Sequence, residues 1–202
     1  MTVLPSFEDF SQVYGSGKTQ VLWTKAAYNL ATPISASLCL MEKDEPYFLL
    51  ESAEVGETKG RYSIIGMDPD LTWSFDGEDV AIQEPNHSPT ILDKAHCLSS
   101  FREIIKDASF DLPAHLPDMA SGLIGYMSYD MVRLVETTVP EENPDPIQIP
   151  QGLFMRITRS LVFDTQEKEL LIVITVRPNG DMSAEGAYEL ATLRIEETLA
   201  QL

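Results

Sequence analysis

The chain is 202 residues long, with 44% hydrophobic residues, 32 acids against 14 bases and a net charge of −18. That length and apolar content suffice for one sizeable core with a smaller satellite layer. So acidic a surface repels phosphate backbones, which argues against nucleic-acid binding, and no run approaches the roughly 18 apolar residues of a membrane span.

Residues 6–14 read as a short helix, with Ser6 as N-cap and Asp9 placed to close a capping box. Residues 19–28 (TQVLWTKAAY) alternate as a strand. Thr32-Pro33 then opens a helix through Met41, since Thr caps well and Pro suits the first helical position. Residues 47–52 and 61–67 read as two strands. Residues 71–83 hold Asp76-Gly77 between alternating runs, a hairpin signal, and 85–89 is loop.

Over 91–106 the spacing of Ala95, Leu98, Phe101, Ile104 and Ile105 predicts a helix with one apolar face. Pro113 and Pro117 mark a loop. Residues 122–130 read as a glycine-flanked strand that runs into a helix over 131–136, and the proline-rich, acidic 140–150 is irregular. Residues 153–163 and 169–176 form a second hairpin, turning at 164–167. The last helix, 184–202, has Ser183 as N-cap and a buried stripe of Tyr188, Ala191, Ile195, Leu199 and Leu202. Strands that arrive as adjacent pairs with helices between them predict an α+β fold: a largely antiparallel, sheet-rich layer with peripheral helices.

The N-terminus MTVLPSFEDF has no basic n-region and is not read as a signal peptide. Cys39 and Cys97 both lie in apolar stretches and read as reduced core residues of a cytoplasmic protein. No group has zinc-ligand spacing, so no metal site is expected in the chain. Gly122 and Gly125 do not form a dinucleotide fingerprint, there is no P-loop, and Ser128 lacks the glycines of a nucleophile elbow. Nothing assembles an acid, a base and an anion cradle. The residues point to a ligand-binding or interaction module, with no catalytic residue.

The chemistry concentrates between residues 48 and 66, FLLESAEVGETKGRYSIIG. Glu51-Ser52 closes one strand and Lys59-Gly60-Arg61 opens the next. A carboxylate, a hydroxyl and two cations thus stand at neighbouring strand mouths. Glu51 can meet an ammonium, Ser52 can donate or accept, and Arg61 can grip a carboxylate bidentately, which suits an amino acid. A solvated connection whose charges bind nothing is the alternative that the residues leave open.

Four segments, taken together, resemble the N-terminal half of anthranilate synthase component I, a chorismate-utilising family. They are Thr32-Pro33-Ile34-Ser35-Ala36; Leu50-Glu51-Ser52 with Gly60-Arg61-Tyr62-Ser63-Ile64-Ile65-Gly66; Gly122 to Asp130; and Leu161-Val162-Phe163-Asp164. The resemblance implies one regulatory domain over 1–202 and a missing C-terminal chorismate-binding half that carries the active site and Mg2+. With ammonia from a glutamine amidotransferase subunit (component II), the whole enzyme would make anthranilate and pyruvate from chorismate under tryptophan feedback inhibition.

By that resemblance Ser52 and Glu51 contact the polar end of tryptophan. Lys59, Gly60, Arg61 and Tyr62 form the adjoining strand wall, and Pro33 with Ile34 packs on the indole. The Tyr126 and Tyr129 segment is read as structural. The isolated chain is expected to be inactive. Component I of aminodeoxychorismate synthase and a stand-alone amino-acid sensor are the alternatives.

Overall fold

The computed structural model describes residues 2–41, 45–51, 60–136, 138–140, 144–178, 180 and 182–202. In chain order the elements are α1 (Phe7–Gly15), β1 (Gln20–Ala27), α2 (Pro33–Leu40), β2 (Tyr47–Glu51), β3 (Tyr62–Phe75), β4 (Asp79–Gln83) and β5 (Thr90–Asp93). There follow α3 (Cys97–Ala108), β6 (Gly122–Met127), β7 (Gly152–Asp164), β8 (Glu169–Val176) and α4 (Ala184–Gln201). The pairings β1–β8, β2–β3, β3–β4, β4–β5 and β7–β8 are all antiparallel. The α+β architecture read from the sequence is therefore the one observed.

Two compact units divide the chain, and β3 and β7 supply residues to both. Unit 1 comprises Met1–Asp68, Phe110–Ser121 and Ile157–Leu202. Its strand β8 is apolar without a break over residues 170–174, because both of its faces are covered there. On one face Leu170, Ile172 and Ile174 join Leu22, Ile65, Leu161 and Phe163 beneath Phe10 of α1 and Ala187, Ala191 and Ile195 of α4. On the other, Leu171 and Val173 join Val21, Trp23, Ile64 and Val162 beneath Leu116 and Ala120. The period of two along each strand sorts neighbours to opposite faces. Ile195 is fully buried in this core, a contribution of about 1.5–3 kcal/mol for the side chain.

Local chemistry sets the helix starts. Ser6 Oγ accepts from the Asp9 amide and donates to the Asp9 carboxylate. Thr32 and Ser35 form a complete capping box, with Pro33 in the first turn of α2, and Ser183 accepts from the Gly186 amide to cap α4.

Unit 2 comprises Pro69–Ser109 and Gly122–Arg156. Its core holds Leu71, Trp73, Phe75, Val80, Cys97, Ile104 and Met131. Trp73 Nε1 donates to Ser100 Oγ at 3.0 Å, and that hydroxyl donates onward to the Cys97 carbonyl at 3.0 Å. The Asp76-Gly77 hairpin forms as read: Gly77 takes φ +115°, and the Asp76 carboxylate accepts from the amides of Asp79 and Glu78 at 2.8 and 2.9 Å. Those two amide bonds, Asp79 first, hold the Asp76 pKa below the usual carboxylate range.

Several local expectations are corrected. The helix expected over 91–106 begins only at Cys97. Thr90–Asp93 pairs with β4 instead, and a 3-10 turn over Lys94–His96 follows, which Asp93 caps. The segment after β6 is a 3-10 helix, Tyr129–Leu134, rather than an α-helix. Residues 62–75 form one strand rather than two, because Asp68 absorbs the bend before Pro69 with φ +54°. That unfavourable conformation is held by Arg159, whose Nε lies 2.9 Å from Asp68 Oδ2 and whose Nη2 donates to Oδ1 at 3.2 Å. Finally, Cys97 is buried but Cys39 is exposed, so only one thiol is a core residue.

Candidate functional site

Of the candidate residues, Glu51 ends β2 and Tyr62 begins β3 at one end of that strand pair in unit 1, with Gly60 and Arg61 just before β3. Cross-strand register places Glu51 opposite Ser63, Leu50 opposite Ile64 and Leu49 opposite Ile65. Opposed residues share a face, so Glu51, Ser63, Leu49 and Ile65 look toward the core that carries α2. Pro33, half-buried, begins that helix, and α2 packs near β2. Ile34 is exposed. Tyr62 lies on the opposite face, packed against the core of Trp23 and Ile64. The structure thus brings Glu51 and the start of α2 to one side of the sheet and sends Tyr62 to the other. Ser52 and Lys59 lie outside the described residues.

Arg61 is held from within the chain. Its Nε donates to both Asp164 oxygens at 3.2 and 3.1 Å, and its Nη2 donates to Oδ2 at 2.8 Å. The guanidinium also stands 4.7 Å from the centre of the Tyr62 ring, a cation–π distance. Hydrogen bonding to Asp164 raises the Arg61 pKa further above its ordinary value. Burial by itself would raise the Asp164 pKa. The Arg61 hydrogen bond, with the amides of Glu167 and Gln166, outweighs that and holds the carboxyl below its usual range.

The neighbouring residue completes the clamp. Thr165 donates its hydroxyl to the carbonyls of Gly60 and Arg61, both at 3.0 Å, and its amide to Arg61 at 2.9 Å. The β7–β8 turn therefore fixes the backbone at Gly60 and Arg61. Asp164 also accepts from the amides of Gln166 and Glu167 at 2.9 and 3.1 Å, which closes its own turn. Sequence reasoning placed a turn here but assigned Asp164 and Thr165 no part in the site. An Asp at the head of a four-residue turn was the available signal.

Among the described residues at this end, the carboxylate of Glu51 is exposed and able to meet an ammonium group. Among the described residues no three His, Cys, Asp or Glu side chains converge as metal ligands, and no helix is long and apolar enough to cross a membrane. In unit 2, Tyr126 donates its hydroxyl to the Pro150 carbonyl at 2.8 Å, whereas the Tyr129 side chain is exposed.

No family model matches the chain. Anthranilate synthase component 1 of Cereibacter sphaeroides is 36% identical over 202 residues, which covers 98% of this chain and 40% of that protein. The protein of the same name from Pseudomonas aeruginosa is 33% identical over 201 residues, 96% of this chain and 39% of its own length. That of Synechocystis is 29% identical over 99% of this chain and 39% of its length. This chain thus spans about two fifths of the curated relatives it matches. Among solved structures, anthranilate synthase component I from Streptococcus pneumoniae superposes with a TM-score of 0.51 at 21% identity, over 85% of this chain and 36% of that one. Sequence and fold agree: along nearly its whole length the chain resembles a part, about two fifths, of anthranilate synthase component I.

Proposed function

We propose that this chain is the regulatory part of an anthranilate synthase component I and binds tryptophan at the mouth of β2 and β3. The observation that carries the reading is the identity of 33–36% over 96–98% of the chain with proteins of that name. In the whole enzyme chorismate and ammonia, the latter from a glutamine amidotransferase subunit, would give anthranilate and pyruvate. The reacting groups and Mg2+ then belong to the three fifths of the relatives that this chain does not match. Here Glu51 receives the ammonium of tryptophan, Ser52 hydrogen-bonds its polar end, and Pro33 offers apolar surface to the indole. The clamped Gly60–Arg61 backbone fixes the wall on the far side of the hairpin.

The test is tryptophan inhibition of the full-length enzyme and its Ser52→Ala variant. A buried ligand group that loses its hydroxyl partner loses about 1–3 kcal/mol, roughly 5- to 150-fold in affinity, while chorismate turnover stays near wild type. Equal inhibition constants would return Glu51-Ser52 to the role of a plain strand end.

A further inference from the structure

A cavity of about 340 Å³ opens in unit 1 at the other end of the same strand pair. Tyr47 and Met67, which line it, are cross-strand partners, whereas Glu51 faces Ser63. Four residues of strand, about 13 Å, separate the two ends. The cavity is therefore distinct from the site proposed above. Its size falls at the lower edge of small-ligand pockets.

The lining is amphipathic. Leu40, from the end of α2, and Met67 are buried apolar residues, and Tyr47 is 40% exposed at the rim. The charged groups come from three elements. Arg159 of β7 is already engaged within the chain, ion-paired with Asp68 and donating through Nη1 to Thr198 Oγ1 at 3.3 Å. Arg194 of α4 is not. It is half-buried, lines the cavity, and makes no ion pair or hydrogen bond through its guanidinium among the described residues. Its guanidinium donors, which no described group of the chain takes up, are available to a ligand in the cavity. Glu197 lies one turn further along the same face of α4 and also lines the cavity, yet the two are not paired. Glu45 adds a third carboxylate beside Asp68 and Glu197.

Two guanidiniums against three carboxylates make the lining net acidic, which repels a simple anion. Arg194 in turn repels a simple cation. A zwitterion meets both. We propose that this cavity binds an α-amino acid with an apolar side chain: carboxylate on Arg194, ammonium on Glu197 and Glu45, side chain against Tyr47 and Met67. The aromatic rim and the thioether favour an aromatic side chain.

The probe is L-phenylalanine, titrated by calorimetry into the full-length protein that carries this chain, with 3-phenylpropionate and 2-phenylethylamine beside it. The variants are Arg194→Met, Glu197→Gln and Ser52→Ala. Met keeps the long apolar stem and the helix propensity of Arg, and Glu197→Gln removes the second polar contact should Arg194→Met fail to fold. L-Phenylalanine should bind saturably, and each analogue, lacking one charge, at least about tenfold more weakly. Arg194→Met should weaken the amino acid by roughly 10- to 150-fold, the loss of one charge-assisted hydrogen bond, and Glu197→Gln by a smaller factor. Ser52→Ala should leave it unchanged. Absence of saturable binding overturns the proposal. So does binding that survives Arg194→Met but fails in Ser52→Ala, which would place the amino acid at the strand mouth. Equal binding of 3-phenylpropionate would remove the zwitterion argument as well.

Discussion

Arg61 and Asp164, 103 residues apart in the chain, meet through three hydrogen bonds of 3.2, 3.1 and 2.8 Å between one guanidinium and one carboxylate. The pair ties the entrance of β3 to the turn between β7 and β8, at the end of the β2–β3 pair that carries Glu51. It is asymmetric: the Asp164 side chain is 7% exposed and that of Arg61 44%. Asp164 therefore carries the structural debt of the pair, and solvent can take over much of what Arg61 would lose.

Asp164→Asn tests that asymmetry. Asn keeps the shape and one acceptor for the Gln166 and Glu167 amides but loses the charge. The expected cost is about 1–3 kcal/mol, held below that of a fully buried pair because Arg61 remains hydrated. The pH dependence has a definite sign. The carboxyl pKa is lowered in the folded state, so its contribution is complete above the unfolded value of about 3.9 and fades as pH falls through the lower folded value. Urea midpoints measured from pH 6 down to 2.5 should drop less steeply in Asp164→Asn than in wild type. Identical slopes would mean that the pair adds nothing to stability.

The two hairpins and the caps were legible because their signals are local: Asp76-Gly77, Thr32-Pro33 and Ser183 each act within four residues. Failures came where long-range pairing decides. Ile91 and Leu92 fit a helix as well as a strand, and pairing with Ala81 and Val80 settles it. Residues 61–67 and 71–75 read as separate strands, yet β3 runs through Asp68, which a distant arginine holds. Cys39 sits on α2, whose apolar residues do not fall on one face and whose Ser37 is buried while Leu38 is exposed, so periodicity could not tell its inner face from its outer one. At the site, the strand mouths and their residue types were readable. The Arg61–Asp164 clamp was not, since nothing in either segment encodes the other.

The two thiols should separate by reactivity. Cys97 is fully buried, and burial pushes its thiol pKa up to about 11, so almost no thiolate forms at neutral pH. Cys39 is exposed. Alkylation of the native protein followed by peptide mass spectrometry should label Cys39 within minutes and Cys97 only after denaturant is added. Rapid native labelling of Cys97 would mean that unit 2 opens locally far more often than its packed core implies.

Gly125 is a second sharp case. A Cβ at this position in β6 would lie 1.9 Å from the Leu153 carbonyl oxygen and 2.7 Å from the Phe154 Cα. Both are backbone, so no side chain can swing away to relieve the clash. Gly125→Ala should cost about 3 kcal/mol or more, seen as a lost or sharply lowered melting transition. Gly15→Ala is the matched control: nothing lies within 4 Å of its Cβ, and the change should stay within about 1 kcal/mol. Equal melting temperatures for the two variants would show that β6 does not approach β7 this closely.

The clamp also bears on the tryptophan site proposed above. An arginine at a strand mouth suits a ligand carboxylate, but here the guanidinium already serves Asp164. If Arg61 acts by holding the strand entrance, Arg61→Gln and Asp164→Asn should disturb that entrance alike. Each should then weaken tryptophan inhibition of the full-length enzyme by a similar factor, about 2- to 10-fold, equivalent to roughly 0.4–1.4 kcal/mol. The double variant should be no worse than either single one, the signature of two residues acting as one unit. A direct grip on the ligand predicts the reverse pattern. Arg61→Gln would then lose far more, while Asp164→Asn, by freeing the guanidinium, would bind tryptophan as tightly as wild type or tighter. Inhibition constants for the four proteins distinguish the two roles, and the second pattern would move Arg61 from the wall of the site into contact with the ligand.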